Sequence, residues 1–466
     1  MVPGADLTVR ATILELSHRL RRREVSPVEL AQNCLTNIEK LNPVLNAFVT
    51  VTAASALLQA RQAEAEIQHG NWRGPLHGVP LGLKDLIDTA GVRTTAGSAL
   101  FKDRIPAEDA DIVRRLKDAG AVLLGKQNLH EFAYGGSSVI SYFGEVRNAW
   151  NLEHIAGGSS GGSASAVAAG LCYGAIGTDT AGSVREPAAL CGVVGLKPTY
   201  GRVSTRGVIP LSRSLDHVGP ITSTVADAAV LLQTIAGYDL EDMNCVNRPV
   251  DDYVAGLDRG TNRIRIGVPR QFFYEDLDPE ISCAVEQALA VLKYLFGEMH
   301  EIELAVPTDR TLQAAESYAY HAESVARSPE LYQPETLRRI RTGEKVSSPE
   351  VEEHRRELKR MHSEIDQVLA DIDVIVTPTT PIPAPALAEL KQNPDLLRPR
   401  ELTLLRNTRP FNVWGLPAIG VPCGFTGSGL PIGLQIVGPH WSESRVLQVA
   451  HAYEQATAWH KREPGV

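Results

Sequence analysis

Three short stretches carry side chains that could act on a substrate together. Gly157-Gly158-Ser159-Ser160-Gly161-Gly162-Ser163-Ala164-Ser165 packs four glycines and four serines into nine residues. Gly177-Thr178-Asp179-Thr180-Ala181-Gly182-Ser183-Val184-Arg185-Glu186-Pro187-Ala188 is a second small, polar stretch, read as a loop that an Arg-x-Pro closes. Leu83-Lys84-Asp85 sets one lysine at the end of an apolar, proline-stiffened strand. Burial disfavours an ammonium, so a lysine there sheds its proton more easily and can serve as a base. A serine beside a neutral lysine is an alternative to the Ser-His-Asp arrangement. Two serines and a lysine from three separate segments would make a proton relay without histidine.

Other chemistries fit the first stretch less well. A flexible linker joins domains, whereas this segment runs straight into Ser165-Ala166-Val167-Ala168-Ala169-Gly170, a small-residue helix. A phosphate loop needs GxxxxGK[ST]; Gly157 and Gly162 have the gap, but Ser163 stands where the lysine belongs. GxGxxG is also missing. Gly157 to Gly161 does match GxSxG, the nucleophile elbow of esterase-type α/β-hydrolases, and so does the register one residue on. That elbow needs a buried strand before it, and residues 148–154 (NAWNLEH) read as a poor strand. Downstream His440, His451 and His460 offer partners, but nothing singles one out. His130-Glu131 lacks the second histidine of HExxH, which disfavours a zinc peptidase. Cys191 reads as a small buried thiol beside Gly192 rather than a nucleophile. His321 reads as helix surface or pocket wall.

These residues sit in a chain of 466 residues with a net charge of −9, long enough to bury a large core. That charge disfavours a broad nucleic-acid face. The six cysteines form no CxxC, as expected of free thiols in a reducing compartment. The N-terminus has charges within each apolar run, and no run of about 18 apolar residues occurs, so a soluble cytoplasmic protein is expected.

The elements that must hold the three stretches follow from pattern. Residues 7–40 predict two amphipathic helices, the second opened by the capping box Ser26-Pro27-Val28-Glu29. Residues 53–69 predict another helix. GVPLGLKDLID, ADIVRRLKDAG with AVLLGKQN, and GVVGLKPTYG then read as strand, helix–strand and strand, an α/β alternation with a buried sheet. Residues 240–262 read as a surface connection, followed by a strand in RIRIGVPR and a helix in DPEISCAVEQALAVLKYLFG. Residues 350–371 predict a charged, solvated helix, and DVIVTPTTPIPAPAL a buried strand entering a proline-rich loop.

The run GGSSGGSASAVAAG with GTDTAGSVREPAALCGVVGLKPT resembles the signature of the amidase signature family. GVPLGLKDLID is similar to that family's lysine segment, and NVWGLPAIGVPCG with GLPIGLQIVGP to its C-terminal strands. The likeness spans roughly residues 7–461. It implies an α/β fold with a central twisted mixed sheet covered by helices on both sides. The whole chain, 1–466, would be one amidase domain: N-terminal helices about 7–70, a signature core about 71–240 and a second half about 262–461.

The resemblance also implies roles. Lys84 would be the base, Ser159 the bridging serine behind a cis peptide bond, and Ser183 the nucleophile, 24 positions on (183 − 159). Backbone N–H groups of Thr180, Ala181, Gly182 and Ser183 would form the oxyanion hole. Tyr134, Gly135 and Gly136 would line the acyl side, and Asp179 with Arg185 would brace the nucleophile loop. Ala181 replaces the family's usual glycine, which matters if that backbone needs a positive φ; Glu186 stands where glutamine is more usual. No metal or organic cofactor is implied. The substrate would be a small-molecule amide, with no direct nucleic-acid or membrane partner, and a homodimer is left open. Thr408-Arg409-Pro410-Phe411-Asn412 resembles the stand-alone amidase branch more than its relative, the glutaminase A subunit of a tRNA-dependent amidotransferase, and residues 316–332 differ from the pattern expected of that subunit.

Overall fold

In the computed structural model, which describes residues 11–258 and 264–465, an eleven-stranded mixed sheet forms the spine. Its strands run in the order Phe48–Val51, Val122–Gln127, Pro80–Lys84, Gly174–Asp179, His217–Thr222, Val194–Lys197, Ala418–Phe425, Pro431–Val437, Val374–Pro378, Ile266–Val268 and Met299–Glu301. The three strands Val122–Gln127, Pro80–Lys84 and Gly174–Asp179 are parallel neighbours. The middle of the sheet is antiparallel, and parallel pairing returns at the far edge. Most central strands are buried along their whole length, which is why they read as continuous apolar or small-residue runs rather than alternating ones. One buried apolar cluster joins Leu83, Ile176 and Val218 with Ile266, Val285, Val376 and Ile436, so both halves of the chain share it.

The helices form where caps and period coincide. Ser26 closes its capping box with Glu29 and starts Pro27–Leu45, whose Leu30, Cys34 and Ile38 turn inward. Ile13, Leu16 and Leu20 make the buried stripe of Ile13–Arg21, each such side chain stabilising the fold by roughly 1.5–3 kcal/mol. Ala53–Gln68, Asp111–Asp118, Pro279–Phe296 and Ser348–Val368 also lie where the pattern puts them. Residues 7–10 of the first expected helix, and 259–263 of the connection and strand start, lie outside the described residues. No described helix is long and apolar enough to cross a membrane.

Four local expectations change. Asn151–Ile155 is a strand, paired with Arg147–Asn148 in a separate two-stranded hairpin. It needs no apolar pattern because it stays outside the main sheet. Residues 177–179 belong to a buried strand, so the loop before helix Arg185–Cys191 is only residues 180–184. The connection 240–262 contains a short helix, Tyr253–Gly256. Of the two readings of His321, helix surface or pocket wall, the first is the one that changes, because the ring is buried against Phe132 and Tyr332.

Candidate active site

The three stretches converge at the ends of neighbouring strands. Lys84 is the last residue of Pro80–Lys84, and the strand beside it ends at Asp179, four residues before Ser183. The glycine-serine stretch lies over them as a turn entering helix Gly161–Ala168, in which every residue is buried. Its composition has a packing cause. A Cβ on Gly162 would come within 2.4 Å of the Asn128 carbonyl oxygen and 2.6 Å of that of Ala47. Only glycine allows this helix to lie backbone against backbone.

Lys84 and Ser159 are fully buried, and Ser183 is 4% exposed. Lys84 Nζ lies 2.7 Å from Ser159 Oγ and 2.8 Å from Thr178 Oγ1. Burial pulls the lysine down to about 7, with Asp179 and Asp216 opposing that fall from a distance. The amine is therefore partly neutral near pH 7, and its lone pair can accept a proton. The Gly158–Ser159 peptide is cis. Ser160 N–H donates to the Ser183 carbonyl at 3.2 Å, which locks the two serine loops together. No hydrogen bond joins the Ser159 and Ser183 hydroxyls among the described residues. Such contacts often close only around bound substrate.

The loop that carries Ser183 is held by charge. Arg185 Nε reaches Asp179 Oδ2 at 2.9 Å, and Arg185 Nη2 reaches Oδ1 at 3.0 Å. Asn412 Nδ2 donates to the same carboxylate at 2.8 Å. Burial alone would raise the Asp179 carboxyl, but Arg185, Lys197 and Asn412 hold it well below the usual range. Arg185 also donates to the Thr408 carbonyl and to Gln435 Oε1, so strands and loops of both halves grip one guanidinium. The expected pairing of Asp179 with Arg185 is thus present as geometry.

Of the four candidate oxyanion donors, Gly182 already has a partner. Its N–H already donates to Asp179 Oδ1 at 2.7 Å, because the carboxylate caps the turn. Among the described residues, the N–H groups of Thr180, Ala181 and Ser183 carry no such bond. Ala181 is not among the residues with positive φ, whereas Gly182 has φ +130°, so alanine is unstrained where it stands. Glu186 Oε2 accepts from Gly158 N–H at 2.8 Å, and burial pushes its carboxyl well upward. In its protonated form it presents the same neutral shape that a glutamine would.

Tyr134 and Gly135 are buried and line a small cavity together with Ser183, whereas Gly136, also buried, packs against Leu405 and is not among the residues lining that cavity. Arg339 Nη1 donates to the Tyr134 carbonyl at 2.6 Å, and Ser137 Oγ to Glu401 Oε1 at 2.6 Å. Arg339 and Glu401 pair at 2.7 Å. Sequence reasoning missed this support, and also Thr178, Asp216, Arg310 and Arg398. Thr178 lies inside the second stretch, one residue before Asp179, and that adjacency is its only signal. Asp216 accepts from Thr180 Oγ1 at 2.6 Å across 36 positions, with no local pattern to announce it. The GxSxG alternative loses its base: no histidine bonds Ser159 or Ser160 among the described residues, and Ser160 Oγ is bound to the Thr178 carbonyl. His440 instead meets Asp366 at 2.7 Å, and Cys191 is fully buried with its Sγ 3.3 Å from the Ala156 carbonyl.

Known proteins share this arrangement of chain. The family model described as Amidase matches residues 29–447. The A subunit of glutamyl-tRNA(Gln) amidotransferase from a Geobacter species is 41% identical, over 96% of this chain and 98% of its own. The solved 6-aminohexanoate cyclic dimer hydrolase has 30% identity and a TM-score of 0.88, covering 98% of this chain and 99% of that one. The A subunit of the Thermotoga maritima glutamyl-tRNA(Gln) amidotransferase, also solved, has 35% identity and a TM-score of 0.77, covering 96% and 95%.

Proposed function

The chain belongs to the Amidase family, whose model covers residues 29–447, and on that premise we propose that it cleaves a carboxamide C–N bond through an acyl-enzyme on Ser183. The observation that carries this reading is the 2.7 Å contact between a buried, readily deprotonated Lys84 and Ser159. Neutral Lys84 takes a proton from Ser159 as Ser159 takes one from Ser183. Ser183 Oγ then forms a bond to the carbonyl carbon, and the oxygen becomes an oxyanion. The N–H groups of Thr180, Ala181 and Ser183 are the free donors for it. Collapse breaks the C–N bond while the proton returns through Ser159 to the leaving nitrogen, since an amide anion leaves poorly. Water repeats the sequence on the ester and frees a carboxylate. Tyr134, Gly135 and Gly136 would line the acyl side, and the whole chain would act as one amidase domain, because Arg185 is gripped from both halves.

Two substrate readings follow. The 41% identity along nearly the full length supports a glutamine-hydrolysing A subunit that hands ammonia to partner subunits. The better backbone match to the cyclic dimer hydrolase, 0.88 against 0.77, supports an enzyme that works alone, as the 408–412 segment suggests. The full-length identity is the more direct of the two supports. Ammonia or amine release by the purified chain alone separates them, measured across glutamine, aliphatic amides and aryl amides with Ser183→Ala as control. Turnover of simple amides, lost in the variant, identifies the stand-alone enzyme. Glutamine turnover that appears only with partner subunits identifies the amidotransferase. Unchanged turnover in Ser183→Ala overturns the nucleophile.

A further inference from the structure

A small cavity opens on Ser183, and two of its walls are arginines. Thr180, Ala181 and Tyr134 line one part, and Arg310, Gln313 and Arg398 another. Its free volume is about 10 Å³, room for about one water molecule, so substrate enters by displacing side chains, and a short acyl chain displaces fewest. A roomier cavity of about 440 Å³ lies next to it and shares only Gln313 with it.

The charges around the small cavity do not cancel. Glu401 is taken by Arg339 at 2.7 Å and lies 3.7 Å from Arg398. Arg339 also takes Glu335 at 2.8 Å. Arg409 directs its donors to the carbonyls of Pro307 and Asp309. Among the described residues, Arg310 is left with neither an ion pair nor a side-chain hydrogen bond. Burial, then Arg409 and Arg398, pull it down to about 9, the behaviour of a guanidinium short of a counter-charge. Burial and Arg339 lower Arg398 in the same direction. Gln313 adds a second unmet group: it is 4% exposed, and its Oε1 has no hydrogen-bond partner among the described residues. A protein does not gain by holding an unpaired cation in a largely desolvated pocket unless an anion arrives there.

We propose that Arg310, supported by Arg398, is an anion subsite for a carboxylate on the acyl half of the substrate, which makes the preferred substrate a small carboxamide of a short dicarboxylic acid. This rests on the acyl-enzyme reading, since it places the reacting amide at Ser183 on the same cavity. The guanidinium recognises a carboxylate through paired N–H donors. Gln313 Oε1 is an acceptor suited to a carboxamide N–H. Glutamine carries such a carboxylate too, but the described lining residues include no carboxylate to meet its α-ammonium. A dicarboxylic monoamide without that ammonium fits them better.

Three probes of one length test this: glutaramate, pentanamide, in which a methyl replaces the carboxylate, and glutamine, which adds only the α-ammonium. The account expects kcat/KM for glutaramate to exceed that for pentanamide by at least about a hundredfold. Arg310→Leu should shrink that ratio at least about tenfold, and Arg310→Lys should restore part of it, which loss of fold would not do. Glutaramate turned over faster than glutamine marks the dicarboxylic monoamide as the source of the carboxylate; the reverse order marks glutamine. Equal rates for glutaramate and pentanamide, or a ratio untouched by Arg310→Leu, overturn the subsite while a Ser183-dependent rate keeps the amidase reading intact. Calorimetric binding of the product glutarate gives an answer independent of turnover. Binding weakened at least about tenfold in Arg310→Leu supports the subsite, and no binding to the unaltered chain overturns it.

Discussion

At the floor of the site Asp179 and Arg185 meet at 2.9 Å, fully buried, with Asn412, Thr408 and Gln435 taking the remaining donors and acceptors. On the wall around the small cavity Arg310, Arg339, Arg398 and Arg409 crowd together, and among the described residues only Glu335 and Glu401 make side-chain ion pairs with them. The floor stands at strand ends and in a loop of five residues, and what it leaves free among the described residues are the proton on Lys84 and the N–H groups of Thr180, Ala181 and Ser183. The wall stands largely on the helices Thr311–Arg327, Pro334–Arg341 and Pro394–Leu404 and the residue that starts the first of them. A satisfied network holds reacting atoms still. An unsatisfied one waits for a ligand to complete it. Chemistry and selectivity can therefore be disturbed separately in this molecule.

The strongest way to break that division is at the floor. Ser183→Ala should lower amide turnover by about 10⁴-fold or more, because the acyl-enzyme cannot form. Comparable rates in the variant would remove the floor's claim to the chemistry. Lys84→Met should cost about 10³-fold and abolish the acid limb of the rate profile. In the unaltered chain the lysine is protonated below about 7, so kcat/KM should fall about tenfold per pH unit below that point. A flat profile down to pH 5 would contradict the lysine base. Stability moves the other way for Lys84→Met. Between about 7 and 10.5 the unfolded chain binds more protons at Lys84 than the folded chain, so folded stability rises with pH through that window. The variant's advantage in a denaturant titration should be largest below pH 7 and shrink above it.

Smaller effects sharpen the comparison. Asp179→Ala leaves Arg185 buried and unpaired, and should cost about 3–5 kcal/mol in urea unfolding. A cost under about 1 kcal/mol would mean that Arg185 finds relief elsewhere. Cys191→Ala removes a buried thiol that the chemistry does not use, and should cost about 1 kcal/mol while turnover stays unchanged. Lost turnover there would revive the cysteine as a rival to Ser183.

The sequence exposes the floor more fully than the wall. Lys84, Ser159 and Ser183 sit in runs of small residues whose composition is itself a packing requirement, as at Gly162. The flanking strands show as buried apolar runs for the same reason. Glu401 meets Ser137 across 264 positions and Arg339 meets Tyr134 across 205, on helices whose local pattern reports only a solvated and a buried face. No window of sequence contains both partners, so the pairing is not legible there. Gly182 escapes for a different cause: its glycine marks the left-handed turn, and only the folded loop reveals that its N–H caps the turn on Asp179. The Asn151–Ile155 strand goes unseen because an edge hairpin needs no apolar alternation.

The central claim is that Ser183 carries the acyl group and that Lys84 with Ser159 moves its proton. Acid quenching during turnover of an activated ester or slow amide, followed by peptide mass mapping, tests it most directly. The account predicts the acyl mass on the peptide containing Ser183, absent in Ser183→Ala and slow to appear in Lys84→Met. An acyl group on Ser159, Ser160 or Cys191, or turnover without any covalent adduct, would contradict it.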